Sequence, residues 1–274
     1  MYKNTTNNMV KQLIAIIIVL FIGFIDIPYH VKAESGGVLP VVSTVHSITY
    51  DDCQLYNMPD VVKDAVFNEK NKPIALSEDG ADNLNSVTVV NEDGTNTLHI
   101  FPYDIKYIEN DKVKFISDVI SKTSDKEYEY QNNDGDISRK FSTDFETGVE
   151  LKYKNNKVKL APLYENEGLV KCIESQDGIM YNNIYSDNIS VKYTSALNGI
   201  KEDIILEKNE GINTFKFLLN TGGLEPETMS VEKDAIPLID PDTGEVCMII
   251  GQIYAYDSAY DESTGKGKHR RLSF

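Results

Sequence analysis

After residue 84, apolar and polar residues alternate with a period of two almost everywhere, and the runs are broken by short turn-forming clusters. A period of two sends successive side chains to opposite faces of a strand, whereas a helix requires a period near 3.6. Residues 85–107 show the pattern best: Ser86-Val87-Thr88-Val89-Val90 leads into Asn91-Glu92-Asp93-Gly94 and then Thr97-Leu98-His99-Ile100-Phe101. Asp93-Gly94 supplies the positive φ that a tight hairpin needs. The same unit recurs at 149–160, with VELKY and KVKLAPL on either side of Asn155-Asn156, and again across 190–219. Tyr, Phe, Ile and Val dominate these runs, as half-buried strands prefer. Two- to four-residue turns leave no room for helical crossovers, which disfavours a parallel α/β sheet. The predicted fold is all-β: a mainly antiparallel, extended β-sandwich built of hairpins over residues 84–260.

The chain ahead of this module reads differently. Lys3 and Lys11 precede a 13-residue apolar run, Leu13–Ile25, and Val31 and Ala33 place small residues ahead of Glu34. This is the pattern of a secretory leader over residues 1–33, cleaved before Glu34. A spanning helix wants about 20 apolar residues, and this run stops at Asp26 and Pro28. No stable membrane insertion is expected after cleavage. Residues 34–83 then form an N-terminal segment with one short helix, where Val62, Ala65 and Val66 share a face behind Pro59. The polar stretch 68–83 is expected to be a linker loop, 121–135 a second mobile stretch, and 261–274 a short basic tail.

Charge and cysteine content narrow the function classes. The chain carries 27 basic and 43 acidic residues, a net charge of −16; losing Lys3, Lys11, Lys32 and Asp26 with the leader changes this to −18. Phosphate binding needs Lys and Arg to displace counterions, so a nucleic-acid partner is not expected. Cys53, Cys172 and Cys247 are odd in number and lack CxxC spacing, which indicates neither a disulfide framework nor a zinc site. They read as small apolar strand residues.

Each candidate constellation for chemistry falls short on residue type or spacing. Beyond the leader the histidines are His46, His99 and His269; His99 alternates within a strand and His269 sits in the basic KGKHRR stretch, so no Ser-His-Asp or Cys-His set is suggested. Asp240-Pro241-Asp242-Thr243-Gly244-Glu245 holds three acids but not the twelve-residue calcium-loop pattern, and reads as a turn. Gly222-Gly223 and Gly265-Lys266-Gly267 lack phosphate-loop spacing. No Trp is present to stack a sugar. Tyr103, Tyr107, Tyr128, Tyr130, Tyr181, Tyr185, Tyr254 and Tyr256 can line a groove, although strand tyrosines more often pack across strands. No catalytic, cofactor-binding or metal-binding residues are assigned, and no cofactor is expected.

One strand carries its charge in an unusual place. In KEDIILEK, Glu202 shares parity with Ile200, Ile204 and Leu206, and points inward with them. An inward carboxylate needs a partner. The reading here is a salt bridge at the sheet rim to Lys192 or Lys201, ahead of a catalytic acid. Asn209-Glu210-Gly211 is then expected to turn the chain into a paired strand that buries Phe215, Phe217 and Leu219 on the same face.

Three segments carry a family resemblance: NSVTVVNEDGTNTLHIFPYDIKYI, VKYTSALNGIKEDIILEKNEGINTFKFLLNTGGLEPE and IDPDTGEVCMIIGQIYAYDSA. Together they span about residues 84–260, and the chain there resembles the N-terminal region of secreted Gram-positive (clostridial type) Rhs/YD-repeat and DNRLRE-domain-containing proteins. The resemblance implies an all-β module at the front of a longer repeat protein, without catalytic residues. The expected function is a non-catalytic structural or interaction module, secreted and extracellular or cell-wall associated, whose partners are wall or surface components or downstream domains. A carbohydrate-binding module on wall or host glycans is the alternative, and a glycoside hydrolase built on inward acids the less favoured third.

Overall fold

A computed structural model of the chain describes residues 17–23, 49–50, 55–67, 72–78, 81–163, 170–227, 235–257 and 269–271. In chain order the first elements are β1 (Ile17–Gly23), β2 (Thr49–Tyr50), a 3-10 turn at Leu55–Asn57, α1 (Asp60–Val66), β3 (Pro73–Leu76), β4 (Ser86–Asn91), β5 (Asn96–Ile100), β6 (Lys106–Glu109) and β7 (Lys112–Phe115). Next come β8 (Ser121–Lys122), β9 (Tyr130–Asn132), β10 (Ile137–Phe141), β11 (Val149–Tyr153) and β12 (Asn156–Pro162). The remaining strands are β13 (Lys171–Glu174), β14 (Gly178–Ser186), β15 (Ile189–Ala196), β16 (Gly199–Leu206), β17 (Phe217–Asn220), β18 (Glu225–Pro226), β19 (Ile236–Ile239), β20 (Val246–Ile250), β21 (Tyr254–Tyr256) and β22 (His269–Arg271). The fold is all-β and mainly antiparallel, with one short helix, as the alternation predicts; β2 and β7 form the one parallel pair among the described strands.

Two large sheets face each other. One runs β13-β14-β15-β16-β1-β20-β19-β18, with β21 and β22 joined beside β1; the other runs β17-β12-β11-β10-β9-β8. Their inner faces share one core: Phe141, Val149, Leu151, Val158 and Leu160 from the second sheet meet Ile179, Tyr181, Val191, Tyr193, Ile204, Leu238 and Met248 from the first. Apolar residues from two facing sheets in one core give the sandwich its layer architecture. Gly148 makes the turn into β11 possible. Its φ is +67°, and a Cβ there would lie 2.2 Å from Leu160 O and 2.8 Å from the Ala161 Cα, so any other residue would force the strands apart.

A second, smaller core sits beside the sandwich. Val62 and Val66 of α1 pack with Met58, Val87 and Val89 of β4, Phe101, Ile105, Val113, Phe115 and Ile116. The helix buries the stripe the sequence marks out, with Ala65 packed at its margin. The β4–β5 hairpin also forms where Asp93-Gly94 predicts it: Gly94 has φ +81°, and Asp93 Oδ1 accepts hydrogen bonds from Thr95 N and Thr95 Oγ1.

Several local expectations need correction. The stretch 68–83 is not wholly loop, since Pro73–Leu76 forms β3 against β4 and Ala81 is buried in the smaller core. Pro73 is tolerated because it opens an edge strand, where its missing N–H breaks no ladder. Likewise 121–135 contains β8 and β9, with Tyr128, Tyr130 and Asn132 buried. The β11–β12 turn falls at Lys154-Asn155, where Lys154 takes φ +53°, one residue ahead of the expected pair. Most consequentially, β16 and β17 do not form a hairpin. β17 pairs with β12 in the opposite sheet, so residues 207–216 carry the chain from one layer to the other. Tyr185 of β14 joins the layers there: its ring packs edge-on at 5.2 Å from Phe215 and 6.1 Å from Phe217, and its hydroxyl donates to Lys216 O at 2.6 Å. Phe217 and Leu219 are therefore half-buried at the core margin rather than inside it.

Ile17–Gly23, within the apolar run expected to belong to a leader, is a strand. β1 lies between β16 on one side and β20 and β21 on the other, and closes the ten-stranded sheet. Among the described residues no helix is long and apolar enough to cross a membrane. The tail, expected as a basic extension, contributes β22 against β21.

Candidate functional site

A cleft of about 1480 Å³ opens where the turns of the sheets converge. One wall is the β5–β6 connection and β6, through Tyr103, Asp104 and Tyr107; a second is the β9–β10 turn, Asn133 to Asp136. The β11–β12 turn adds Tyr153, Lys154, Asn155 and Asn156, the β15–β16 turn adds Leu197 and Asn198, and the β19–β20 connection adds Asp240, Gly244 and Glu245. Loops carried on rigid strands are where binding residues collect.

The β9–β10 turn is held by its own polar contacts. Asn132 Oδ1 accepts from Asp134 N, Asp134 Oδ2 accepts from Ser117 N, and Asn132 Nδ2 donates to the carbonyls of Ser117 and Val119 at 2.9 and 2.8 Å. Gly135 supplies the backbone conformation of this turn. Its φ is +71°, a conformation that L side chains rarely adopt, while a Cβ there would make only ordinary contacts with Ile116 and Tyr107, so a side chain would be strained by the backbone rather than by crowding.

Beneath the turn lies Arg139, with no solvent exposure. Its Nη1 donates to Asn132 Oδ1 at 2.6 Å and its Nη2 donates to the carbonyl of Leu197 in the β15–β16 turn. Leu197 belongs to the smaller core, whereas Phe141, two residues from Arg139, belongs to the larger, so the guanidinium ties the two together. Burial lowers its pKa to about 10, against the opposing charges of Asp134 and Asp118, and the group stays protonated at neutral pH. A second buried cation, Lys106, donates its Nζ to Ala81 O at 2.9 Å at the cleft's base.

Of the residues singled out in the sequence, the cleft gathers Tyr103, Tyr107, Asn155, Asn156, Cys247, and Asp240, Gly244 and Glu245 of the acidic turn. Burial raises the pKa of Tyr103. Lys154 Nζ sits 4.9 Å from the Tyr153 ring centroid, a cation–π geometry. The Asp240 stretch is a turn: Asp240 Oδ1 accepts from Asp242 N and Thr243 N, and Gly244 N donates to Asp240 O. Among the described residues no cluster of His, Cys, Asp and Glu has metal-binding geometry. The other tyrosines lie elsewhere. Tyr181 and Tyr193 pack edge-on at 6.0 Å in the main core, Tyr128 and Tyr130 are buried, and Tyr254 stacks on Tyr256.

Glu202 points inward as its parity predicts, but the expected rim salt bridge is absent. Lys192 pairs with Asp177 at 3.6 Å and Lys201 with Asp203 at 3.3 Å. Glu202 is only 2% exposed, deep in the larger core. Burial pushes its pKa up to about 8; the nearby Tyr193 hydroxyl opposes the shift and the Asp203 charge adds to it. Neither Tyr193 Oη nor Glu202 Oε2 completes a hydrogen bond of normal geometry. Cys172 and Cys247 are free thiols on strands, and burial raises Cys172 to about 11. Cys53 and His46 lie outside the described residues, and His99 is a partly buried strand residue whose pKa burial lowers.

Sequence reasoning passed over Arg139, Lys106 and the cleft itself. Parity offered a signal for the first, because Ile137, Arg139 and Phe141 alternate on one face exactly as Ile200, Glu202 and Ile204 do. The cleft had none, since its walls come from five separate turns. The chain matches no protein-family model, no curated protein and no solved structure.

Proposed function

We propose that the chain is a non-catalytic interaction module of an exported, cell-surface or wall-associated protein, the front part of a longer Rhs-like polypeptide, and that the cleft is its contact surface. The observation that carries this reading is the architecture of the cleft. Its walls are turns from the two packed sheets and from the smaller β5–β6 region, braced from below by Arg139, and its Asp134 and Asp240 carboxylates accept backbone hydrogen bonds within or beside those turns. Export rests on the leader pattern of residues 1–33.

A carbohydrate ligand is the second reading, favoured by one feature. Tyr103, Tyr107 and Tyr153 stand in the cleft with the amides of Asn133, Asn155, Asn156 and Asn198, a combination that offers ring faces for sugar stacking and paired donors and acceptors for hydroxyls. A hydrolase acting through Glu202 is the least supported, because that carboxyl is closed off from solvent.

Export is tested by N-terminal sequencing of protein recovered from the medium, which should begin at Glu34. A glycan array then separates a glycan-binding module from a protein-binding one: wall or host glycans should bind, and Tyr107→Ala should weaken binding, only if the second reading holds. Turnover of wall polysaccharide that disappears in Glu202→Gln would overturn the non-catalytic reading.

A further inference from the structure

The leader's apolar run occupies a place in the fold that its export role does not explain. β1 pairs with β16 over seven consecutive positions, from Ile17 opposite Ile205 to Gly23 opposite Gly199. On its other side it pairs with Ile249 and Ile250 of β20 and with Tyr254, Ala255 and Tyr256 of β21. The ten-stranded sheet is continuous only through this strand. Cleavage before Glu34 would take it away.

We propose that leader removal leaves a strand-wide slot between β16 and the β20–β21 edge, and that this slot binds an uncharged, apolar strand from a second polypeptide, running antiparallel to β16. Two ladder spacings separate the edges, about 9.5 Å, so one extended chain can pair with both at once. Backbone pairing of this kind supplies affinity in strand-addition recognition. Direct closure of the two edges is disfavoured by their shapes. The edge of β16 is an unbroken run, whereas the facing edge is interrupted at Gly251-Gln252-Ile253 between β20 and β21. An open pair of edges is also a liability that a protein must cover.

The chemistry of the occupant follows from the strand already seated there. Ile17-Ile18-Val19-Leu20-Phe21-Ile22-Gly23 has no charge and is rich in β-branched residues, which suits an extended strand held on both sides. Glu202 does not mark the slot, because its side chain belongs to the core between the sheets. The inference rests on the proposed export and cleavage of the chain, and names the class of partner that the exported module meets.

The test uses the full chain, expressed with its leader in a secreting bacterial host and collected from the medium. Its N-terminus is sequenced first. A start at Glu34 satisfies the premise. A protein that never leaves the cell sinks export and slot together, whereas an exported chain that retains residues 17–23 fills its own slot and overturns the strand proposal alone. The probe is a synthetic, fluorescein-labelled peptide of residues 15–25 with flanking lysines for solubility. Saturable binding, a thermal midpoint raised by several degrees and slowed amide exchange at 199–206 and 254–256 are expected. The same peptide with Leu20→Pro lacks a backbone donor and should lose binding. If the cleaved chain is poorly folded, the peptide should restore its β-sheet circular dichroism. No binding, equal binding of the proline peptide, or no recovery of the sheet signal would each overturn the slot.

Discussion

Arg139 and Glu202 sit on different sheets, and each is a charged residue on the apolar parity of its strand, removed from solvent with its neighbours. The arginine is met by an amide oxygen and a main-chain carbonyl that hold its two terminal nitrogens. Among the described residues the glutamate has a tyrosine beside it but no cation, and one of its carboxyl oxygens, like the arginine's Nε, completes no hydrogen bond. The two regions solve the cost of a buried charge differently. Arg139 keeps its proton and is solvated by fixed dipoles; Glu202 holds a proton in most molecules at neutral pH, so the core is largely spared its charge.

The largest expected effect comes from the region that depends on a retained charge. Arg139→Ala would take the guanidinium donor from Leu197 O, leave Asn132 Oδ1 with Asp134 N as its remaining donor, and open a void between the two cores. Losses of this kind run to about 3–5 kcal/mol. Urea unfolding measures it, and a loss below 1 kcal/mol would show that the guanidinium does not tie the cores together.

Glu202→Gln sharpens the contrast through pH. With the folded carboxyl raised to about 8 from the ordinary 4.5, the native state holds a proton that the unfolded chain has released over that interval. Stability of the native protein should therefore fall as pH rises from 4.5 to 8, and level off above. The glutamine cannot ionise, so the variant lacks this decline. At pH 5 the two proteins should agree within about 1 kcal/mol, and at pH 8.5 the variant should be more stable by roughly 2–4 kcal/mol. Parallel stability curves across this range would mean that Glu202 titrates like an ordinary surface carboxylate.

Which parts of this were legible in the sequence follows from what each depends on. The β4–β5 hairpin was readable because its turn is chemical and local: Asp93 binds Thr95 and Gly94 takes a positive φ. The inward aim of Glu202 was readable because parity is a property of one strand. Its partner was misassigned against parity: Lys201 lies on the opposite face from Glu202 and pairs with Asp203 two residues on, and Lys192, which stands opposite Asp203 in the ladder, reaches Asp177. The β16–β17 connection was misread for another reason. Asn209-Glu210-Gly211 is turn-forming in either case, and the strand that follows pairs with β12 in the other layer, with Phe215 and Phe217 packed on Tyr185, contacts between distant segments that local sequence does not encode. The cleft depends on the meeting of distant turns, and so left no local trace.

That misreading gives the third prediction. Phe217 placed on the inner face of a hairpin would cost about 3–5 kcal/mol on truncation to alanine. In its observed position at the core margin, half-buried against Tyr185, the loss should be about 1–2 kcal/mol. Phe141→Ala, with no exposure, supplies the full-burial reference in the same protein. Equal losses for the two phenylalanines would restore Phe217 to the core.

The smallest expected effect tests the opposite extreme from Arg139. Lys159 has far better formal partners than the buried arginine: its Nζ lies 2.7 Å from Glu127 Oε1 and 3.8 Å from Glu150 Oε2, and 5.2 Å from the Tyr128 ring centroid. The hydrogen bond to Glu127, then that to Tyr128, raise its pKa above the ordinary lysine value. About a third of the side chain is nevertheless exposed, and Glu127 more than half, so water and salt screen the attraction. Lys157 also stands 3.2 Å from Glu150 and would keep that buried carboxylate paired. Lys159→Met retains the aliphatic cover over Tyr128 and removes only the charge, which should cost no more than about 1 kcal/mol and less in high salt. A loss matching that of Arg139→Ala, and insensitive to salt, would mean that stability follows the number of ionic partners rather than burial, and the distinction between the two buried charges would have to be drawn on other grounds.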